Sequence, residues 1–235
     1  MAMTFFSASI EQFLDFITLG GPVVAILMAV SAIALAVILL KLGQFANRQV
    51  GNGGAARKAA SFWLGGRPRE AFEAARKSRA VSAQAVAEAI RLAGDRNAAK
   101  ADIEDRIAAL AMTRFHELQS GFRLLDAIAQ VAPLLGLFGT VLGMINAFQQ
   151  LQAAGNSVDP SILAGGIWVA LLTTAAGLAV AMPVSMVLTW LETRIEAERV
   201  LVQTLTTDIL GLPSIVPAAS ASDVGFRRGE AAIAH

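Results

Sequence analysis

The chain contains three long apolar runs that lack any charged residue, and polar stretches of very different length separate them. The runs cover residues 16–40, 127–158 and 160–191. About 20 consecutive apolar residues cross a bilayer core as a helix, so each run is long enough for one membrane span. We place the spans at residues 21–40, 128–149 and 162–188. The pattern predicts an all-α membrane protein with three transmembrane helices.

The polar stretches next to the second and third spans have a helical period. Before the second span, apolar residues recur close to every 3.6 positions from Ala98 onward. We therefore expect one cytoplasmic helix that runs straight into the second span. Its apolar face is formed by Ile103, Ile107, Leu110, Phe115, Leu118, Phe122 and Leu125.

The third span is predicted to continue in the same way until Gly211, which Pro213 follows. Its expected apolar face consists of Leu191, Ile195, Val202, Leu205 and Ile209. Charged residues are expected outside that face, namely Glu192, Arg194, Glu196, Glu198 and Arg199.

The stretch between the first two spans predicts shorter elements. Residues 44–55 are rich in glycine and asparagine, which indicates a break. A helix is expected from Arg67, with Pro68 in its first turn, and a second over residues 82–92 that ends at Gly94. The alanine- and serine-rich tail, residues 213–235, lacks periodicity and is predicted to be disordered.

Charge gives the orientation. Residues 41–126 hold 15 Lys and Arg against 9 Asp and Glu, although the whole chain carries a net charge of only +1. The positive-inside rule places this segment and the C-terminus in the cytoplasm. Glu11 and Asp15 precede the first run, where a secretion signal would be positive, so we interpret that run as a retained span. The predicted order is a periplasmic segment 1–20, the first span, a cytoplasmic helical segment 41–127, the second span, a periplasmic turn 150–161, the third span, a cytoplasmic helix 189–212 and the tail.

Two matching stripes of small residues lie in the second and third spans. The first consists of Gly136, Thr140, Gly143 and Ala147, and the second of Ala170, Thr174, Gly177 and Ala181. Steps of four, three and four place each stripe on one helix face. Such a face allows close helix packing, and Gly139 with Gly143 forms a GxxxG pair. The alternative is a shared lumen lined by the two hydroxyls, and the residues alone leave both open.

Pro133 and Pro183 lie near the ends of their spans. Each is either a tolerated kink, whose freed carbonyl finds another partner, or a bend that shapes the mouth of a pore.

Ionisable residues are missing from all three spans, where they usually mark ion or proton pathways. If protons cross here, the titrating carboxylate must come from another polypeptide. The chain has no cysteine, its two histidines have no metal-site spacing, and no phosphate loop or nucleophile motif is present. Its arginines are scattered among acids and alanines, so we expect neither an enzyme nor a nucleic-acid-binding protein, and no cofactor or metal.

The block APLLGLFGTVLGMINAF at residues 132–148, followed by GIWVALLTTAAGLAVAMP at residues 166–183, resembles the MotA/TolQ/ExbB family of proton-channel motor subunits, most of all its ExbB branch. The order of spans and cytoplasmic segments is also similar. The resemblance implies a bacterial inner-membrane protein whose copies, usually five, surround single spans of an ExbD-like partner. That partner supplies a membrane aspartate, and Thr140 and Thr174 match the family's lumen threonines.

The resemblance further implies that the motor works through a TonB-like protein to drive uptake across the outer membrane. One position departs from it, because Val169 stands where ExbB and TolQ relatives usually carry a glutamate. Two other functions remain open: a TolQ-like role in envelope maintenance and a non-conducting oligomeric membrane scaffold.

Overall fold

In the computed structural model, which describes residues 2–94, 99–153 and 160–211, the chain folds into seven α-helices and no strand. This confirms the predicted all-α class. The predicted tail and half of the predicted periplasmic turn, residues 154–159, lie outside the described residues. The helices are α1 (Ala2–Asn47), α2 (Gly54–Leu64), α3 (Pro68–Arg76), α4 (Val81–Ala93), α5 (Lys100–Gln119), α6 (Phe122–Ala153) and α7 (Pro160–Gly211).

Three helical stretches are long and apolar enough to cross a membrane: Gly21–Asn47, Lys100–Ala153 and Leu163–Gly211. The first begins at a kink in α1, where Gly21 has a φ of 65° that favours glycine and Pro22 follows. Proline is suited to the first turn of a helix because its missing N–H has no intrahelical partner there. The kink therefore divides α1 at the point where the first predicted span begins.

The short helices follow the sequence signals in two cases out of three. Helix α3 starts at Pro68, and α4 ends at Ala93 with Gly94 as its C-cap, as predicted. Helix α2 was not predicted. Its N-cap is Gly53, which makes no side-chain capping bond, so the sequence carried no start signal for it.

The expected continuous helix before the second span is interrupted. Helix α5 ends at Gln119 and α6 begins at Phe122, with Gly121 between them at a φ of 82°. A residue with positive φ cannot continue a right-handed helix, and glycine adopts that conformation without steric cost. We call this two-residue break, Ser120 and Gly121, the α5–α6 joint.

The chain divides into two compact units. The first comprises Met1–Val50 and Phe115–Ala197, and the second comprises Gly51–Arg114 and Glu198–His235. In the first unit, α1 packs on α6, and a cluster of Val23, Leu27, Ala132 and Ala181 joins α1, α6 and α7. All four side chains are at most 6% exposed.

The second unit has an alanine-rich core. Helices α2, α3 and α4 pack against one another, and their contacting faces are mostly alanine, which favours helix formation and permits close approach. Val202, Leu205 and Ile209 of α7 are buried in this unit. They belong to the apolar face that the sequence predicted, whose other two members, Leu191 and Ile195, are buried in the first unit.

Glu198 corrects the expected charge pattern of α7. It was expected outside the apolar face, but its side chain is only 1% exposed. One carboxylate oxygen accepts hydrogen bonds from the Ser82 backbone N–H at 3.0 Å and the Ser82 hydroxyl at 2.7 Å. The other accepts one from the Gly51 N–H at 3.2 Å. These donors compensate the burial of the charge, so Glu198 serves as an acidic cap at the N-terminus of α4.

Candidate functional site

The two small-residue stripes pack against each other within one chain. The contacting residues, which we call the α6–α7 seam, are Ala132, Gly136, Gly139, Gly143 and Ala147 of α6 and Gly166, Ala170, Thr173, Gly177 and Ala181 of α7. Ala132, Ala147 and Ala170 are each at most 3% exposed. The seam therefore joins α6 and α7 over several helical turns.

The centre of the seam brings two backbones into contact. A Cβ atom added at Gly177 would lie 2.6 Å from the Ala132 carbonyl oxygen and 3.1 Å from the Gly136 Cα. One added at Gly136 would lie 2.9 Å from the Thr173 carbonyl oxygen. Real Cβ atoms do not approach backbone atoms so closely, so these two positions require glycine.

The two helices are also close together at the remaining glycine positions of the seam. A Cβ added at Gly143 would lie 3.2 Å from the Ala170 Cβ, and one added at Gly139 would lie 2.7 Å from the Thr173 Cβ. At Gly166 an added Cβ would overlap the Ala147 side chain. Small side chains are thus needed along the whole line.

The predicted lumen threonines lie at the edge of this seam and are half-buried. The Thr140 hydroxyl donates to the Leu137 carbonyl of its own helix at 2.7 Å. The Thr174 hydroxyl is 3.4 Å from the Gly136 carbonyl across the seam. Both hydroxyl protons are therefore directed at backbone carbonyls, while the lone pairs of both oxygens keep further acceptor capacity.

Sequence reasoning missed Thr173. This residue is 1% exposed, and its hydroxyl donates to the Ala170 carbonyl at 2.7 Å and approaches the Gly136 carbonyl at 3.3 Å. Thr173 follows Ala170 by three positions and precedes Gly177 by four, so it fits the helical period as well as Thr174 does. That spacing was the available signal, and it does not distinguish the two neighbours.

The remaining predicted residues lie around the seam. Pro133 is half-buried inside α6, and Pro183 is exposed inside α7. Each proline deprives the carbonyl four residues earlier of its usual helical donor. Val169 is half-buried and directly precedes Ala170 of the seam. The ionisable residues that flank the described parts of these spans, Asp126 and Glu192, are both exposed.

The faces of α6 and α7 that point away from the seam are apolar and exposed in a single chain. They carry Leu134, Leu137, Phe138, Val141, Ile145 and Phe148 on α6, and Trp168, Leu171, Met182 and Met186 on α7. Lipid or further polypeptides must cover these side chains, since monomers rarely leave so much contiguous apolar surface in water. The fold and the seam thus define a multi-pass membrane protein whose last two spans form a tightly packed, uncharged helix pair.

The comparisons with known proteins identify the family. Residues 73–204 match the MotA/TolQ/ExbB proton channel family. This is more than half of the chain, and it contains both stripes, α4, α5 and most of the part of α7 that follows its stripe. The chain belongs to the MotA/TolQ/ExbB proton channel family.

The relatives carry ExbB and TolQ names. The chain is 46% identical over 80 residues to the biopolymer transport protein exbB1 of Vibrio cholerae, covering 34% of this chain and 35% of that protein. It is 36% identical over 113 residues to a putative ExbB homolog of Methanothermobacter thermautotrophicus, covering 48% and 38%. It is 39% identical over 89 residues to the Tol-Pal system protein TolQ of Haemophilus influenzae, covering 37% and 39%. The chain thus matches little more than a third of the length of each relative.

Proposed function

We propose that several copies of this chain, five in the usual family arrangement, form a ring in the bacterial inner membrane around a single-span, ExbD-like partner. The ring converts the proton-motive force into movement of that partner, which drives uptake across the outer membrane through a TonB-like protein. Family membership supports the proton-channel role. The observation that carries the proposal is an uncharged α6–α7 pair with two half-buried hydroxyls at its edge.

The partner must supply the titrating group. Residues 127–158 and 160–191 hold no ionisable side chain, and Val169 occupies the position of the family glutamate. An aspartate on the enclosed helix would be charged when it faces water and neutral when it is protonated inside the ring. A charge that crosses 100 mV is worth about 2.3 kcal/mol, which is ample to drive a stepwise movement.

The threonine geometry suggests which form of that acid the ring accepts. The Thr140 hydroxyl donates to Leu137, and the Thr174 hydroxyl points at Gly136, so each oxygen offers lone pairs to the interior. A protonated carboxylic acid donates a hydrogen bond, whereas an ionised carboxylate only accepts. The ring would therefore stabilise the neutral acid and let it pass the apolar wall.

The orientation in the membrane is part of the proposal. Trp168 and Trp190 are both exposed on α7 and lie 22 residues apart, or about 33 Å along a helix. This length matches a hydrocarbon core of about 30 Å with tryptophan at both interfaces. The Arg194 guanidinium stacks over the Trp190 ring at 5.2 Å, as expected at the cytoplasmic surface. The N-terminus is then periplasmic and the C-terminus cytoplasmic.

Two variants test the role of the hydroxyls. Thr140→Val with Thr174→Val keeps the side-chain shape and removes both hydroxyls. Proton-dependent activity of the assembled complex should fall by at least about tenfold, because the acid loses two hydrogen bonds of about 0.5–1.5 kcal/mol each and about 1.4 kcal/mol is a factor of ten. Thr189→Val is the matched control, because Thr189 is exposed on the same helix as Thr174 and its hydroxyl donates to the Ser185 carbonyl of that helix. Full activity in the double variant would contradict the lumen role.

The partner and the copy number need a direct measurement. Co-expression with a neighbouring gene that encodes one span with a membrane aspartate, followed by mass measurement of the intact complex, should yield a ring of this chain with the partner inside. A ring that excludes the partner would contradict the motor and favour the second candidate, a membrane scaffold. That candidate is supported by the close packing of the stripes within one chain.

A TolQ-like role in envelope maintenance is a further candidate, which the similarity to the Haemophilus influenzae protein supports. Deletion of the gene separates the two motor functions. Loss of energised uptake with an intact envelope supports the ExbB-like role, and a leaky envelope with normal uptake supports the TolQ-like role.

A further inference from the structure

Lys41 is a buried cation on the first candidate span. It lies in α1 and is only 7% exposed. Its ammonium donates to the Gln44 side-chain oxygen at 2.7 Å, the Ser120 hydroxyl at 3.1 Å and the Leu118 carbonyl at 3.2 Å. These are three acceptors for three N–H donors, so the ammonium is fully hydrogen-bonded.

Two of the three acceptors belong to the break between α5 and α6. Leu118 lies in the last turn of α5, where carbonyl groups lack the donors that a continued helix would supply. Ser120 is the first residue of the α5–α6 joint. A cation is favoured at a helix C-terminus because it faces the negative end of the helix dipole. Lys41 therefore supplies, from another helix, a donor to the Leu118 carbonyl in place of one that the break removed, and it also binds the Ser120 hydroxyl.

The rest of this α1 face also lies along the joint. The Phe45 and Phe122 rings stack at 6.3 Å, and Arg48 pairs with Glu117 at 3.8 Å. A Cβ added at Gly121 would lie 3.5 Å from the Lys41 Cε. Contacts from successive turns of α1 thus reach both the end of α5 and the start of α6.

A lysine near the end of a membrane helix usually extends its ammonium to water at the surface. Lys41 does the opposite, because its ammonium is directed into protein and bonded to the joint. Burial of an ammonium is costly unless its donors are satisfied. The side chain is therefore held in one geometry, which a surface anchor does not require.

We propose that Lys41 is a positioning residue that holds the last turn of α5, residues 115–119, against the first turn of α6. The first span then acts as a brace on the helix that carries Thr140, rather than as a simple membrane anchor. Without the ammonium, the Leu118 carbonyl and the Ser120 hydroxyl lose this partner and the joint opens more often. The consequence for motor activity rests on the proposed function, whereas the effect on the joint does not.

Hydrogen exchange of the full-length protein in detergent or nanodiscs tests the brace. In Lys41→Met, which keeps the chain length and removes the ammonium, backbone amides of residues 118–125 should exchange roughly tenfold faster than in the parent. Lys41→Arg should restore most of the protection, because a guanidinium can still donate to these acceptors. Lys58→Met is the matched control. Lys58 is exposed and its ammonium lies 5.7 Å from the centre of the Phe62 ring, as the Lys41 ammonium lies 6.0 Å from that of Phe122.

The outcomes are separable. Parental exchange at residues 118–125 in folded Lys41→Met would overturn the proposal. If that variant cannot be purified, Ser120→Ala removes one acceptor of the ammonium together with the hydroxyl's own bond to the Glu117 carbonyl at 2.9 Å. It should accelerate the same amides roughly threefold, and unchanged exchange there would overturn the proposal equally. Faster exchange with unaltered proton-dependent activity would keep the brace and refute its role in the motor. A parent protein without motor activity would refute the proposed function and leave the exchange result valid.

Discussion

In the α6–α7 seam, two helices are held by contact between backbones, whereas in the second unit α7 is held by a buried carboxylate. The seam has no ionisable residue, and the hydroxyl contacts that cross it are long, at 3.3 and 3.4 Å. Glu198 instead accepts hydrogen bonds as short as 2.7 Å from Ser82. The contact in the seam depends on the small volume of its side chains, and the contact in the second unit depends on the hydrogen bonds that Glu198 accepts.

This difference follows from the surroundings of each region. In a bilayer, lipid chains are as apolar as the side chains, so close packing of small residues holds helices together. In water, an alanine-rich core buries little apolar area per residue, and a charged cap adds a directional bond to it. The two regions should therefore fail under different substitutions.

The largest effect is expected from added volume in the seam. In Gly177→Leu, the new side chain must displace the α6 backbone, since even its Cβ would lie 2.6 Å from the Ala132 carbonyl oxygen. Overpacking of this kind costs about 3 kcal/mol or more. The chain has no cysteine, so a disulfide between Gly143→Cys and Ala170→Cys reports the seam, and its yield should fall sharply in Gly177→Leu.

Gly165→Leu is the matched control, because Gly165 lies on the same helix and an added Cβ there meets nothing within 4 Å. With Gly165→Leu, the disulfide yield should equal that of the Gly143→Cys, Ala170→Cys protein without a further substitution. If Gly177→Leu also gave the parental yield, the seam would not depend on volume and the comparison would fail.

A smaller effect, about 2 kcal/mol, is expected when the buried carboxylate is removed. Glu198→Ala leaves the Ser82 and Gly51 donors without their acceptor, and hydrogen bonds to a charged group contribute about 1.5–3 kcal/mol. Hydrogen exchange of α4 amides should report a lower free energy of opening. Glu192→Ala is the control, since Glu192 is exposed on the same helix. Equal exchange in both variants would show that the cap does not stabilise α4.

Much of the helical framework could be predicted from the sequence because local signals determine it. Pro68 and Gly94 mark helix ends, and the structure has ends at or beside these two positions. The apolar period in the C-terminal part of α7 identified five residues that are buried, namely Leu191, Ile195, Val202, Leu205 and Ile209. The family motif extends over the two stripes, so the resemblance was recognisable without the structure.

The sequence was misleading where a residue type conflicts with its position. Glu198 follows Ile195 by three residues and precedes Val202 by four, so it occupies a regular step of the apolar face. Its charge suggested exposure, but Ser82 and Gly51, which are distant in the chain, make burial possible. The α5–α6 joint is a similar case. The apolar period continues through Gly121, but the φ angle of Gly121 is positive, at 82°, so the helix is interrupted there.

The smallest predicted effect is a difference in pH dependence: the stability of the second unit should depend on pH, whereas the contact in the seam should not. In the second unit, hydrogen bonding and charge attraction from Arg91, with a further contribution from Arg106, hold the pKa of Glu88 below its ordinary value of 4.5 despite the opposing effect of burial. A lowered folded-state pKa contributes stability that is present above the unfolded pKa and is lost as the pH falls through the folded one. The thermal midpoint should therefore drop below pH 4.5, and Glu88→Gln should lose part of this dependence. No titratable group of the spans influences the seam disulfide. In the Gly143→Cys, Ala170→Cys protein it should therefore form to the same extent with and without Glu88→Gln. An identical pH profile of the midpoint in both proteins would show that this ion pair, with a shortest contact of 2.6 Å, contributes nothing measurable.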